Sequence, residues 1–302
     1  MNTQALHTGH ALTQTSYLIG LIGDGVLPSL SPPMHEREAQ FLGIQYVYRP
    51  IDLVELGLGP ESVGQVLEQA SRLGFDGLNI THPCKQLVLE HLDHVSDEAR
   101  LLRAVNTVTI TDRGFTGYNT DHSGFARGFR QGLPDASLNN VLQLGAGGAG
   151  SAVAYALLGL GSDRLTVVDV DGSKAEKLVA TLQQEFGKER VGAGYWQNVP
   201  ALLAAADGLV NATPIGMAAH SGTPLNVSLL ESRHWVADVI YMPIETELLR
   251  AARAVGCQTL DGGRMCVNQA ADAFRIFTGI DPDPDRMRET FLAHTGQADA
   301  RR

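Results

Sequence analysis

The run Val141-Leu-Gln-Leu-Gly145-Ala-Gly147-Gly148-Ala-Gly150 constrains this chain more than any other stretch. It passes from an apolar segment into a glycine cluster and on into the helix-forming Ser151–Leu158, so it reads as strand, tight turn, helix. Gly145, Gly147 and Gly150 fit G-x-G-x-x-G. In that spacing the first glycine permits the turn, the second lets the main chain approach a pyrophosphate, and the third lets helix and strand pack closely. Backbone N–H groups at the helix start then face the anion. A glycine-rich turn of this kind can also be purely structural, but the context favours a dinucleotide. A second apolar run, Leu165-Thr-Val-Val168, ends in Asp169, 24 residues beyond Gly145. A carboxylate there accepts both adenine-ribose hydroxyls and repels a 2′-phosphate, so NAD is the expected cofactor and NADP a weaker one.

Composition limits the alternatives. A chain of 302 residues, 44% hydrophobic and 19% charged, suits about two globular domains. Its formal charge of −10 is spread out with no Lys/Arg tract, which argues against a nucleic-acid or anionic-membrane partner. Cys84, Cys257 and Cys266 lack C-x-x-C spacing and point to a reducing compartment. The first sixteen residues show no basic segment followed by an apolar one and read as a loose tail. With no apolar run near the roughly 18 residues that span a bilayer, the expected location is cytoplasmic.

Along the chain, strands are expected at Tyr17–Ile22, Gln45–Ile51 and Gly77–Ile80. Helices are expected from Ser31, acting as cap, to about Leu42, and from Pro60 to Leu73. This β-α-β-α-β alternation favours an α/β layer with parallel strands. Further helices are expected from Lys85 to Leu92 and from Ser96, then a hairpin of Thr107–Thr111 and Phe115–Tyr118 around Asp112-Arg-Gly114. A linker is placed near Thr120–Ser123, and a helix over Thr120–Arg130. The second domain repeats βα units: Ser173-Lys-Ala-Glu176 fits a capping box for a helix to Phe186, and Gly208–Asn211, Trp235–Val239 and Gln258–Leu260 read as strands. Helices at Met265–Thr278 and near Asp285–Leu292 could close the second domain or return to the first.

In such a fold the substrate lies beyond the carboxyl ends of the strands. There Asn79-Ile-Thr81-His-Pro-Cys-Lys85 offers a lysine and Asn119-Thr120-Asp121 a carboxylate. Hydride transfer at a carbon bearing oxygen needs a group to take or give the hydroxyl proton, and Lys85 and Asp121 are the best candidates. The bland readings are a solvated lysine near a helix start and an aspartate capping a helix. Asn211-Ala-Thr-Pro-Ile-Gly-Met217 could line a nicotinamide pocket or be a simple turn. His91 and His94, at i, i+3 on the expected helix, have no third ligand, so no metal site is expected. H-E-x-x-H and G-x-S-x-G are absent.

Taken together, the motifs from Tyr17 to Leu292 resemble those of the shikimate/quinate dehydrogenases. Ser29-Leu-Ser31-Pro32 resembles S-x-S-P, whose hydroxyls bind the substrate carboxylate, and Asn79-Ile-Thr81-His-Pro-Cys-Lys85 resembles N-V-T-x-P-x-K, with Thr81 on a ring hydroxyl and Lys85 catalytic. Ala104-Val-Asn106-Thr107 is similar to A-V-N-T, and Gly117-Tyr-Asn119-Thr120-Asp121 to G-x-N-T-D. These motifs imply asparagine and aspartate contacts to ring hydroxyls, made by Asn106 and Asp121. Gly263-Arg-Met265-Cys-Val-Asn-Gln269-Ala270 resembles G-x-x-M-x-x-x-Q-A, whose glutamine, here Gln269, also reaches the substrate.

The resemblance implies a substrate-binding domain over residues 1–122, an inserted Rossmann-like NAD domain over 123–261, and C-terminal helices, 262–302, returning to the first. It implies a cofactor set of Gly145, Ala146, Gly147, Gly148, Ala149, Asp169, Asn211, Thr213, Gly216, Met217, Val239, Gly262 and Met265. Asp169-Val170-Asp171 stands where NADP-dependent members carry an Asn-Arg-Thr-like triplet, and Asp238-Val-Ile-Tyr241-Met-Pro243 also resembles the NAD-dependent quinate/shikimate branch. Pro28 replaces histidine in the common G-x-P-[IV]-x-H-S loop, which bears on substrate choice. The implied activity is reversible oxidation of a ring hydroxyl of shikimate or quinate by a monomer or homodimer. The rivals are a dehydrogenase for an amino analogue of the ring acid and a non-catalytic NAD- or metabolite-sensing protein.

Overall fold

The computed structural model describes residues 16–295, so the expected N-terminal tail lies almost wholly outside the described residues. Two six-stranded sheets organise the chain. The first opens with β1 (Ser16–Gly23), α1 (Ser31–Leu42), β2 (Gln45–Asp52), α2 (Val63–Arg72) and β3 (Gly77–Ile80). These three strands pair in parallel with β1 in the middle, as the alternation predicts. The sheet then becomes mixed. After β4 (His94–Val95) and α3 (Asp97–Leu102), the hairpin β5 (Thr107–Thr111) and β6 (Gly114–Tyr118) adds antiparallel to β3, and β4 pairs with β6.

Three local expectations fail for identifiable reasons. The helix expected over Lys85–Leu92 is only a 3₁₀ turn, Leu87–His91, because the Lys85 carbonyl accepts from Val105 N–H and cannot join a helical ladder. His91 and His94 therefore sit on different elements and form no i, i+3 pair. Ser31 is the first residue of α1 and makes no cap; its N–H donates to Ser29 Oγ at 3.2 Å. In the second half of the chain Asp171, two residues before Ser173, caps the helix by accepting from Ser173 N–H.

α4 (Asp121–Gly132) carries the chain to the second sheet, so the expected linker is the start of a helix. There follow β7 (Asn140–Leu144), α5 (Gly148–Gly159), β8 (Arg164–Val168), α6 (Gly172–Phe186), β9 (Val191–Ala193), α7 (Val199–Ala205), β10 (Gly208–Asn211), β11 (Trp235–Asp238), α8 (Glu247–Ala254) and β12 (Gln258–Leu260). All six strands are parallel, in the order β9-β8-β7-β10-β11-β12. This is the doubly wound order, and its reversal between β7 and β10 opens a crevice at their carboxyl ends. β9 and α7 are too short to show a periodicity in the sequence.

α9 (Gly262–Thr278) and α10 (Pro284–His294) run back to the first sheet. Ala273, Phe274 and Phe277 join Ile19, Leu21, Tyr46 and Tyr48 in one core, with Phe274 stacked on Tyr46 at 5.3 Å. Fully buried Glu38 of α1 accepts from Arg286 at 2.6 Å and from Asp283 N–H, which fastens α10. α4 and α9 touch at the backbone, since a Cβ on Gly124 would stand 2.7 Å from the Gln269 nitrogen. No helix among the described residues is long and apolar enough to cross a membrane.

His35 is wholly buried in this core among Tyr46, Tyr48, Phe274 and Phe277, with Nδ1 2.9 Å from the Tyr46 hydroxyl and Nε2 unpartnered. Burial pushes its pKa down from 6.5 to about 3. The folded protein thus keeps it neutral, while the unfolded chain takes up a proton below about pH 6.5. The stability it contributes is complete above that pH and is lost as pH falls toward 3, by about 2 kcal/mol at pH 5. Urea denaturation at a series of pH values should show His35→Leu flattening that acid slope. An unchanged slope between pH 6.5 and 5 would refute the assignment.

Candidate active site

The loops that follow β3 and β6 meet, because Asn79 of β3 pairs with Thr107 of β5 and Thr107 pairs with Tyr118 of β6. This register brings the lysine after β3 to the aspartate that begins α4. Lys85 Nζ donates to Asp121 Oδ2 at 2.5 Å, with the lysine side chain 22% and the aspartate 9% exposed. The acid is held from behind. Asn119 Oδ1 accepts from the N–H groups of Asp121 and His122, and its Nδ2 donates to Ala104 O, so Asn119 caps α4 and faces no open space. Asn106 Nδ2 donates to Asp121 Oδ1 at 3.0 Å and to Thr120 Oγ1 at 2.9 Å. Gln269 reaches in from α9, its Oε1 3.4 Å from Thr120 Oγ1. Lys85, Asp121, Asn106 and Gln269 therefore form one cluster.

Ser29 lies on the loop after β1, Ser31 opens α1 and Thr81 follows β3, all beyond the carboxyl ends of paired parallel strands of the first sheet. Asp52 anchors the loop between β1 and α1 by accepting from Gly25 and Leu27 N–H groups. Burial raises the pKa of Asp52, but those and neighbouring backbone donors outweigh it and hold the carboxyl below the usual range. Thr81 packs against Gly23, where a Cβ would lie 2.4 Å from the threonine methyl. The phenol of Tyr48, a residue read from the sequence only as part of a strand, is raised well above its usual range by burial, against a lowering influence of the nearby Ser31 side chain. Tyr241 and Cys266, packed against the core that includes Leu30 and Met34, lie near enough to Asp121 to feel its charge. The Cys266 thiol is pushed up to about 12 by burial and then by Asp121. Tyr241 is raised by Cys266 first, then by burial and by Asp121.

The crevice of the second sheet holds the glycine turn. Gly145 has φ +100 and a Cβ there would meet Ala212 O at 2.6 Å, so the turns after β7 and β10 touch. A Cβ on Gly150 would meet Gly145 O at 2.3 Å. Buried Gln143, which the motif does not include, donates to the carbonyls of both glycines and pins the turn. Gly147 and Gly148, in contrast, have no protein atom within 4 Å of a built Cβ, and Ala149 follows them in the first turn of α5. The space over the free N–H groups of this helix start is open, which fits a pyrophosphate. Asp169 accepts from Ala146 N–H at 2.8 Å and from Asp171 N–H at 2.9 Å, fastening the turn to the end of β8.

Asn211 and Gly262, both expected at the cofactor, are tied into the surrounding loops. Asn211 is fully buried, and its side chain bonds Thr213, Ile215 and Asp238 while its carbonyl accepts from Val239 N–H. Gly262 is buried under the Val239 carbonyl, 2.3 Å from where a Cβ would stand. Thr213, Gly216 with φ +118, and exposed Met217 form the loop above, while Met265 packs beside the core of the second sheet. Burial lifts the carboxyl of Asp238 to about 6, against donors at Ile240, Thr246 and Asn211. Among the described residues no group of three or more His, Cys, Asp or Glu could hold a metal ion.

Two family models match this chain: the shikimate dehydrogenase substrate-binding domain over residues 21–108 and the shikimate 5′-dehydrogenase C-terminal domain over residues 264–290. The shikimate dehydrogenase (NADP(+)) of Pseudarthrobacter chlorophenolicus is 62% identical over 92% of this chain and 94% of its own length. The chain belongs to the shikimate/quinate dehydrogenase family. Quinate/shikimate dehydrogenase (NAD(+)) of Corynebacterium glutamicum is 54% identical over 92% of this chain and 99% of its own. The solved structure of quinate dehydrogenase from that organism in complex with NAD matches with a TM-score of 0.88, 54% identity, and coverage of 92% and 99%. The family uses NAD or NADP, and these relatives divide between the two.

The glycines separate a structural from a ligand-facing role. Gly150→Ala, which drives a methyl into a carbonyl, should lower stability by about 1–3 kcal/mol. Gly147→Ala should leave the thermal midpoint unchanged and weaken NAD binding by roughly tenfold. Full-strength NAD binding by Gly147→Ala in a calorimetric titration would place the pyrophosphate elsewhere.

Proposed function

We propose that this protein reversibly oxidises a ring hydroxyl of shikimate or quinate to the 3-dehydro ketone, using NAD in preference to NADP, with Lys85 as the proton carrier. The observation that carries this reading is the Lys85–Asp121 contact flanked by Asn106 and Gln269. When bound, the nicotinamide supplies the hydride acceptor or donor. In the oxidative direction the hydroxyl proton passes to neutral Lys85 Nζ, and the Asp121 carboxylate stabilises the ammonium that results. Ketone reduction runs the same step backwards, with Nζ giving its proton to the forming alkoxide.

The neighbouring groups divide the remaining work. Ser29 and Ser31 bind the substrate carboxylate, while Thr81, Asn106, Asp121 and Gln269 hold ring hydroxyls. Residues 1–122 with 262–302 thus carry the substrate and 123–261 the nucleotide, in a cytoplasmic monomer or homodimer. The NAD preference rests on charge. Each Asp169 oxygen accepts one backbone hydrogen bond and keeps lone-pair capacity for a ribose hydroxyl. A 2′-phosphate would meet two carboxylates, Asp169 and Asp171, with no basic residue in the triplet to receive it.

Lys85→Ala should reduce kcat for either ring acid by about 10²–10⁴-fold. A near-normal kcat in steady-state assays would exclude Lys85 as the acid/base. Asp169→Ala should narrow the preference for NAD, read as the ratio of kcat/KM with the two cofactors. Equal kcat/KM with NAD and NADP in the unmutated protein would remove the role given to this acid.

A further inference from the structure

Behind the reacting pair lies a buried chain of side chains whose hydrogen-bond polarity can be read without ambiguity. Tyr48 OH reaches across β1 to Asn79 Oδ1 at 2.7 Å, and Asn79 Nδ2 lies 3.0 Å from both Asn106 O and Thr107 Oγ1. Thr107 Oγ1 is in turn 3.0 Å from Asn106 Oδ1, and Asn106 Nδ2 reaches Asp121. Two main-chain groups fix every direction. Thr120 N–H can only donate, so the Asn106 atom 2.8 Å from it is the amide oxygen, and the amide nitrogen must face Asp121. The Asn106 carbonyl can only accept, so the Asn79 atom facing it is the nitrogen, and Asn79 Oδ1 must receive the tyrosine proton. Thr107, accepting from Asn79, has its own proton left for Asn106. At the far end the Ser31 side chain lies near the Tyr48 phenol.

We infer that Tyr48, Asn79 and Thr107 are positioning residues: a one-way donor chain, starting beside the carboxylate-binding serines, locks the Asn106 amide toward Asp121 and so holds the aspartate on Lys85. All three are buried and touch neither member of the reacting pair directly. A partly satisfied buried network is the costly alternative, since each group left unpaired keeps its desolvation penalty. The inference rests on Lys85 and Asp121 being the reacting pair, so its test carries one readout that does not depend on turnover.

Thr107→Val keeps the shape of the side chain and removes its hydroxyl, Thr107→Ser restores the hydroxyl, and Tyr48→Phe removes the first donor. Oxidation of shikimate with NAD should show kcat lowered about tenfold in Thr107→Val with KM little changed. Thr107→Ser should recover most of that loss, and Tyr48→Phe should lower kcat in the same sense by a smaller factor. In ¹⁵N-labelled protein the side-chain amide protons of Asn106 should exchange slowly in the parent and Thr107→Ser, and faster in Thr107→Val and Tyr48→Phe. Parental kcat in Thr107→Val, an equal loss in Thr107→Ser, or amide exchange indifferent to these substitutions would overturn the inference. If the unmutated protein turned over neither ring acid, the function proposed above would fail, while the amide exchange would still decide for or against the chain.

Discussion

Everything at this site depends on one short ion pair between groups 36 residues apart, Lys85 and Asp121. Taking both charges largely out of water is unfavourable unless the remaining lone pairs and protons find partners. The fold supplies them. Asp121 Oδ1 is bonded by Asn106, the N–H of Asp121 is bonded by Asn119, and the carbonyl of Lys85 is bonded by Val105 N–H. These partners come from the loops after β3, before β5 and after β6, which are adjacent only because the strands pair in one register. A slip of a single residue would turn Asn79 and Thr107 to the opposite face and dissolve the arrangement.

The helix that starts at Asp121 also joins the two sheets, and this couples the site to the architecture. α4 lies directly on α9 at Gly124, where no side chain fits between the backbones. From α9 come Gln269, which reaches Thr120 and Asn106, and Asp272, which binds Ser123 and Arg127 of α4. The chain therefore leaves the first sheet and returns to it at the same place, with the nucleotide-binding sheet formed in between. A C-terminal helix that closed the second sheet instead would leave α4 without its brace and the cluster without its glutamine.

What the sequence made legible was chemistry carried by short local patterns. The glycine turn, Asp169, and the polar residues at strand ends could be read because a strand, a turn and a helix start leave residue signatures in order. What it hid was chemistry carried by register. Tyr48 sits in an alternating strand, where a buried tyrosine looks like any other apolar body, and only the pairing of β2, β1 and β3 brings its hydroxyl to Asn79. Asn211 shows the reverse: its polar side chain after a strand reads as a ligand contact, yet it bonds its own loop. Asp171 and Ser173 are both good caps, and three-dimensional placement, not residue type, decides between them. The return of α9 left no mark in the hydrophobic pattern, since an amphipathic helix does not say which sheet it covers; only the resemblance of its G-x-x-M-x-x-x-Q-A motif implied it.

On the function proposed above, cofactor choice is tied to the stability of the glycine turn. The acid that would exclude a 2′-phosphate is the same group that accepts Ala146 N–H at the apex of the glycine turn. Replacing it with a neutral or basic residue takes away negative charge and also unfastens one of the few side-chain bonds holding that turn, the others coming from Gln143 and Ser151. A chain of this fold that admits the phosphate must therefore hold Ala146 by other means, or accept a looser main chain where the pyrophosphate has to sit. On the function proposed above, selectivity at position 169 would for that reason be a property of the turn and the acid together, and a single charge change would move both.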